Sequence, residues 1–227
     1  MSSPVVQRLL AAVNPTKYFR LIFLSSMLSP NVLRKQVRAL RRAMPAAERH
    51  QAARQLTSRV TSLKVFVIAQ HIAGYLAFDG ELDPALLLEH AFAMGKQVYL
   101  PVLTGKPAAQ LLFAPYHPDT VLVPNHFGIP EPEVPQAQLW PSQRLDLVLV
   151  PLVAFDSSGT RLGMGGGFYD RTFAFRRNPV HLPKPRLLGL AYELQKFPAL
   201  LRQSWDVPLD GIATEKALYG DSGSALT

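Results

Sequence analysis

The sequence predicts an α/β chain with a mainly parallel central sheet and helices on both faces. Three observations carry that prediction. Residues 71–103 run strand, polar turn, helix, glycine, strand, the order of a βαβ unit, whose two strands pair in parallel. Leu147 to Val150 is an unbroken β-branched and aliphatic run closed by Pro151, as in a strand buried on both faces. Leu187 to Tyr192 reads as another such strand.

From the N-terminal side, Leu33, Val37, Leu40 and Met44 recur at helical spacing while Arg34, Arg38, Arg41 and Arg42 fill the other face. This is a basic amphipathic helix, with Ser29 as its cap and Pro30 in its first turn. Its arginines read as a solvated face, except Arg34, whose place at the helix start makes it a phosphate candidate. A second helix begins near Pro45, carries Glu48 in its first turn, and runs through Leu56 and Val60 to Leu63. Val65 to Ile68 and His71 to Phe78 read as an extended apolar region with a strand ending near Tyr75. A polar turn, Phe78 to Asp83, follows; Asp83-Pro84 caps a helix over 85–94, Gly95 stops it, and Val98 to Leu103 is the next strand. Ligands of such sheets sit at the carboxyl ends of the strands, which puts Glu81 on that rim. Leu111 to Phe113 and Val121 to Val123 are short strands read as a hairpin, and the prolines make Phe127 to Pro132 irregular. Ile212 to Thr214 is a short final strand.

Composition narrows the partner. The 227 residues are 48% hydrophobic and 18% charged, which suits one sizeable core, here expected over residues 30–218. Residues 1–29 read as a disordered extension or as sequence upstream of a start at Met27, and residues 219–227 as a flexible tail. Twenty-four Lys and Arg against 16 Asp and Glu give +8, which suits an anionic partner: nucleic acid, nucleotide or a polyanionic small molecule. No cysteine is present, which excludes disulfides and thiolate metal sites and points to the cytoplasm. No apolar run is long enough to cross a bilayer.

The stretch 146–171 holds the chemistry. After the buried strand comes a loop with Arg161, then Gly163, Gly165, Gly166 and Gly167, then Phe168, Tyr169, Asp170 and Arg171 opening a helix. Glycines lack Cβ, so their N–H groups can converge on an anion, and a helix N-terminus adds positive charge. Arg161 supplies a bidentate cationic clamp, and Asp170, a hard oxygen ligand, suits Mg²⁺ bridging the same phosphates. The plain alternative is a glycine-rich turn with ordinary surface charges. Against it, the arginine, the glycines and the aspartate share one short loop.

Common nucleotide motifs fail. No glycine begins a Walker loop, and Gly163-Met164-Gly165-Gly166-Gly167-Phe168 has Phe where a dinucleotide fingerprint needs its third glycine. Gly-x-Ser-x-Gly is absent and the six histidines lack zinc spacing. A nucleic-acid-binding module using the arginine-rich helix at 34–42 would explain the charge but leave the glycine loop idle, and it lacks interleaved aromatics. Trp205 reads as core.

Pro151-Leu-Val-Ala-Phe155-Asp156, Gly159 and Arg161-Leu-Gly163-Met-Gly165-Gly-Gly167-Phe168-Tyr169-Asp170-Arg171 resemble the hallmark of 5-formyltetrahydrofolate cyclo-ligase, also called methenyltetrahydrofolate synthetase. Glu81 in Phe-Asp-Gly-Glu-Leu-Asp, Gly95-Lys96, Gly128-Ile-Pro-Glu131-Pro132, Asp146, Gln195 and Trp205-Asp206 follow in the family's order, so the resemblance spans residues 33–214.

The resemblance implies a fold related to sugar-phosphate isomerases and CoA-transferases. It also implies an ATP- and Mg²⁺-dependent cyclisation of 5-formyltetrahydrofolate to 5,10-methenyltetrahydrofolate, giving ADP and phosphate. By family position, Arg34, Arg161, Gly163, Met164, Gly165, Gly166 and Gly167 cradle the ATP phosphates, with Phe168 and Tyr169 beside them. Asp170 and Asp206 hold the metal. Glu81 contacts the folate and Phe168 stacks on its pterin, and Glu81, Arg161 and Tyr169 form the catalytic set. Phe168 stands where the family often has Tyr, and Pro30 where it often has Lys or Arg, leaving Lys35 as the candidate replacement. The implied partner is a reduced folate, polyglutamylated forms included, with neither membrane nor nucleic acid, and the chain is expected to be a monomer.

Overall fold

The computed structural model describes residues 29–103, 110–177 and 184–220. The extension expected over 1–29 and the tail over 219–227 fall outside these residues, apart from Ser29, Tyr219 and Gly220.

Pro30–Ala43 forms α1, started by the fixed φ of Pro30 and anchored by the buried stripe Leu33, Val37 and Leu40. Ser29 occupies the cap position, but its side chain makes no capping hydrogen bond. Ala46–Thr61 is α2. The run expected to be extended folds instead as a short helix, α3, Lys64–Ile68, with Phe66 and Val67 N–H donating to the Leu63 carbonyl. A short apolar run satisfies either period, and here packing of Val65 and Phe66 decides. The buried ammonium of Lys96 donates to the Val67 and Ala69 carbonyls at 2.8 and 2.7 Å, closing the end of α3.

His71–Ala73 is β1, shorter than the expected strand because the chain turns off before Tyr75. Then come α4, Ala85–Ala93, ended by left-handed Gly95 (φ 72°), and β2, Gln97–Leu103. Leu111–Pro115 (β3) pairs antiparallel with β2, while Leu122–Pro124 (β4) pairs with Pro130–Pro132 (β5), so the expected hairpin is not formed. Prolines are admissible in β5 because a two-stranded ladder consists of edges. Leu147–Pro151 (β6), Ala154–Asp156 (β7) and Arg161–Leu162 (β8) follow. Phe168–Thr172 is α5, and Arg186–Leu190 (β9), Lys196–Phe197 (β10), Gly211–Ala213 (β11) and Leu218–Tyr219 (β12) complete the chain.

The main sheet has seven strands in the order β12-β11-β9-β6-β1-β2-β3. Its interior pairs are parallel, and β3 and β12 close the two edges antiparallel. Alternate residues of β6 feed two cores. Leu147 and Leu149 join Val37, Leu56, Phe66 and Leu87 from α1 to α4. Val148 and Val150 join Phe113, Phe155, Phe173 and Ile212, against which Phe168 and Tyr169 of α5 pack. Helices therefore lie on both faces, unequally. A smaller sheet, β10-β7-β8, carries Arg161 out of the expected loop and into a strand. Asp156 locks that hairpin, accepting Ser158 N–H, Ser158 hydroxyl and Thr160 N–H, and also Leu200 N–H.

Asp146 ties the amino ends of β1 and β6 by accepting Gln70 and His71 N–H at 3.0 Å and the Lys184 ammonium at 2.8 Å. Burial alone would raise its pKa, yet these donors bring it from 3.8 to about 2. Asp146→Asn should therefore cost roughly 2 kcal/mol of unfolding free energy at pH 7. Because the folded pKa is depressed, the stabilisation is present above 3.8 and is lost as pH falls through about 2. Urea titrations of both proteins across that window should converge at its acid end.

Candidate active site

A cavity of about 840 Å³ opens at the carboxyl end of the parallel strands. Leu100 and Pro101 of β2 and Pro151 of β6 form its floor, and it is large enough for a drug-sized ligand. Five separate segments meet around it: the start of α1, the turn after β1, residues 125–131, the glycine loop with α5, and residues 201–206.

The glycine loop is shaped by backbone conformations that only glycine adopts freely. Gly165 has φ 102° and Gly167 has φ 65°, and a Cβ on Gly166 would stand 2.7 Å from the Phe168 ring. Among the described residues, no N–H of Met164, Gly165, Gly166 or Gly167 donates within the protein. Arg34 reaches across from α1, its Nε donating to the Gly163 carbonyl at 2.8 Å and its guanidinium lying against Gly165. With five residues, α5 adds little cumulative dipole, so the positive character of the loop rests on the free N–H groups and Arg34. Phe168 is held from two sides, by the Arg171 guanidinium 5.0 Å from its ring and by Phe127 edge-on at 6.2 Å.

Arg161 lines the same cavity, but its fork is engaged. Its Nη2 donates to Asp170 Oδ1 at 2.6 Å and its Nη1 to the Val207 carbonyl, and Val207 N–H also donates to Asp170 Oδ1. The residue expected to grip phosphate thus joins the glycine-loop helix to the 203–207 turn. Tyr169 lies beside it; burial pushes its phenol well up, and the Glu81 charge adds to this, so it stays protonated at neutral pH.

Glu81 closes the turn Phe78-Asp79-Gly80-Glu81. Asp79 (φ 53°) and Gly80 (φ 73°) are both left-handed, Glu81 N–H donates to the Phe78 carbonyl, and Glu81 Oε2 accepts Phe78 N–H. Asp79 is gripped by three arginines of α1: Arg38 at 2.5 Å, Arg42 at 3.0 Å and Arg41 at 3.5 Å. The arginines read as a solvated face are therefore committed to this turn, and Arg41 is 0% exposed. Burial raises the Glu81 carboxyl above its ordinary range, against the opposing Arg41 charge. Asp79 is lowered, since Arg38, Arg42 and Arg41 outweigh its own desolvation.

The metal assignment can be tested on the donors. Among the described residues, no group of three or more His, Cys, Asp or Glu side chains gathers as a metal site. Magnesium asks less of a protein when phosphates supply most of its oxygens. Asp170 and Asp206 both line the cavity, and each has one carboxylate oxygen without a protein hydrogen bond among the described residues, Asp206 using the other to accept Gln203 N–H. The pair fits an ion that arrives with phosphates.

Every residue assigned to the site from sequence lines this cavity. Pro30 lines it without offering charge, while Lys35 is exposed and absent from the wall. Trp205, expected in the core, is 59% exposed at the mouth because its turn projects from the sheet. Missed were Arg38, one turn beyond Arg34, and the ledge made by β4 and β5. Glu131 fastens that ledge, accepting Leu103 N–H and Asn125 Nδ2. Arginines at i, i+3 and i+4 followed by an Asp-Gly turn were the available signal for the Asp79 cluster.

Fold and site together define an α/β protein with a glycine loop of unpaired backbone N–H groups facing a half-buried carboxylate across one cavity. The sequence matches the model of the 5-formyltetrahydrofolate cyclo-ligase family over residues 27–215. It is 40% identical over 183 residues to 5-formyltetrahydrofolate cyclo-ligase of Escherichia coli (strain K12), covering 81% of this chain and 98% of the relative. With the Haemophilus influenzae cyclo-ligase it shares 41% over 177 residues, 78% and 92% of the two chains. The solution NMR structure of Aquifex aeolicus 5,10-methenyltetrahydrofolate synthetase is similar to it with a TM-score of 0.72 at 30% identity, over 88% of this chain and 97% of that one. The chain belongs to the 5-formyltetrahydrofolate cyclo-ligase family and is an enzyme of that class.

Gly80 cannot be replaced cheaply. A Cβ there would lie 3.2 Å from the α1 backbone at Arg41 and Arg42, at φ 73°. Gly80→Ala should lower the unfolding free energy by about 1–2 kcal/mol or more, measured by chemical denaturation.

Proposed function

We propose that the cavity catalyses ATP-dependent cyclisation of 5-formyltetrahydrofolate to 5,10-methenyltetrahydrofolate, with release of ADP and phosphate. The carrying observation is the convergence around one cavity of the glycine loop with Arg34, Asp170 with Asp206, and the half-buried Glu81. The formyl oxygen is a poor leaving group. Transfer of the γ-phosphoryl onto it breaks the bond to ADP; N10 then attacks the formyl carbon and loses its proton, and the C–O bond breaks as phosphate departs. Such a sequence asks for positioning and charge neutralisation and needs no protein nucleophile.

In this reading the free N–H groups of Gly163 to Gly167 and the guanidinium of Arg34 hold the phosphates. Arg161 keeps Asp170 in place. Asp170 and Asp206 would hold Mg²⁺, which would supply charge neutralisation for the phosphates. Glu81 holds the pterin or formamide side of the folate, and the Phe168 ring offers a stacking face. Tyr169, as a neutral phenol, can donate a hydrogen bond but cannot serve as a base near neutral pH.

The nucleic-acid reading loses its support, since Arg38, Arg41 and Arg42 are paired with Asp79.

Purified protein supplied with 5-formyltetrahydrofolate, ATP and Mg²⁺ should produce the methenyl chromophore, and folded protein without ATP-dependent product would sink the reading. Asp170→Ala should abolish turnover with circular dichroism unchanged. Arg161→Ala should raise the KM for ATP roughly tenfold or more, because Asp170 would lose the charge-assisted contact that positions it. Wild-type rates in both variants would overturn the phosphate-side assignments.

A further inference from the structure

Glu81 stands on a turn that its two internal hydrogen bonds close but do not tie to the rest of the fold. The turn has two consecutive left-handed residues, and one of them, Asp79, has a side chain that pays for that conformation. What holds it is the α1 arginine cluster. Arg38 Nε meets Asp79 Oδ2 at 2.5 Å, Arg42 Nη1 meets Oδ1 at 3.0 Å, and Arg41 Nη2 donates to the Asp79 carbonyl at 3.3 Å. Arg41 is buried, and its Nη1 donates to the Leu152 carbonyl just after β6. The same cluster thus joins α1, the Glu81 turn and the end of a central strand. Gly80 packs against the α1 backbone at Arg41 and Arg42.

The charges give Asp79 a second task. Arg38 and Arg41 both act on Glu81. Asp79 makes the direct ion pairs with these arginines, while Glu81, which lines the cavity, already acts on the buried Arg41 charge more strongly than Asp79 does. Without Asp79, Glu81 would face that charge without the second carboxylate that shares it.

We infer that Asp79 is a positioning residue for the folate side of the site, acting through Glu81 by neutralising Arg38, Arg41 and Arg42 and fixing the turn between them. This rests on the reading of Glu81 as the folate contact.

The test separates folate from ATP. Asn tolerates the left-handed conformation, so Asp79→Asn removes the charge while keeping the turn's backbone. It should raise the KM for 5-formyltetrahydrofolate roughly tenfold while the KM for ATP stays within about twofold. Arg42→Gln alters an arginine outside the cavity wall that is more than half exposed, so it leaves the fold intact; it should raise the folate KM alone by about two- to threefold. If Asp79→Asn does not fold, Arg42→Gln decides the matter. Equilibrium dialysis of 5-formyltetrahydrofolate supplies the readout that a purely structural role would not move: in a Glu81→Gln background, Asp79→Asn should add less than about twofold to the Kd, because both act through one carboxylate. Full additivity in that background, equal losses for both substrates, or wild-type folate kinetics in the folded variants would each overturn the inference. A wild-type protein that neither binds nor converts 5-formyltetrahydrofolate would overturn the proposed function itself, and the inference with it.

Discussion

The ion cluster between Asp79 and the α1 arginines is the constraint on which the site depends. Helix α1 has two edges of use: an apolar stripe that docks it on the sheet, and an arginine stripe beside it that faces the carboxyl end of the strands. Docking the first stripe delivers the second. Arg34 then meets the glycine loop at Gly163, while Arg38, Arg41 and Arg42 close on Asp79. One helix therefore sets the distance between the glycine loop and the turn that carries Glu81. Burying Arg41 is costly unless its donors are met, and Leu152 and Asp79 meet them in part, its Nε remaining without a partner.

A second link works from the opposite wall. Arg161 on β8 joins Asp170 of α5 to the backbone of Val207, so the short helix that follows the glycine loop is tied to the 203–207 turn. Asp156 and Gln195 stiffen the base of that assembly: Gln195 donates to the Leu152 and Val153 carbonyls and accepts Tyr192 N–H, which holds the chain where it leaves β6. Several polar residues that accompany the central motif in sequence thus serve to fasten loops, and they leave the glycine N–H groups and two carboxylate oxygens free for a ligand.

Much of the architecture was legible because it rests on local chemistry. The strand at 147–150, the α4 helix with its Gly95 stop, and the parallel β1-α4-β2 unit follow from residue periodicity and glycine conformation. The glycine loop was legible for the same reason. Where two periods fit, packing chose: residues 64–68 became a helix because Val65 and Phe66 could join the helical core and Lys96 could close the end. Pro130 to Pro132 became a strand because its partner β4 leaves it an edge, a fact that the prolines themselves do not encode.

The sequence by itself pointed to residues that the fold gathers around one cavity, since glycines at 163 and 165–167, an acid at 170 and a carboxylate after a strand end are conformational and chemical features written in neighbouring residues. The tertiary structure alone decided what each charged group does. Arg161 spends its fork on Asp170 and Val207, Trp205 stands in solvent at the mouth, and the arginines of α1 hold a turn about forty residues away in sequence. Ion pairs of that separation depend on where a helix is laid on a sheet, and the packing of the whole core sets that placement.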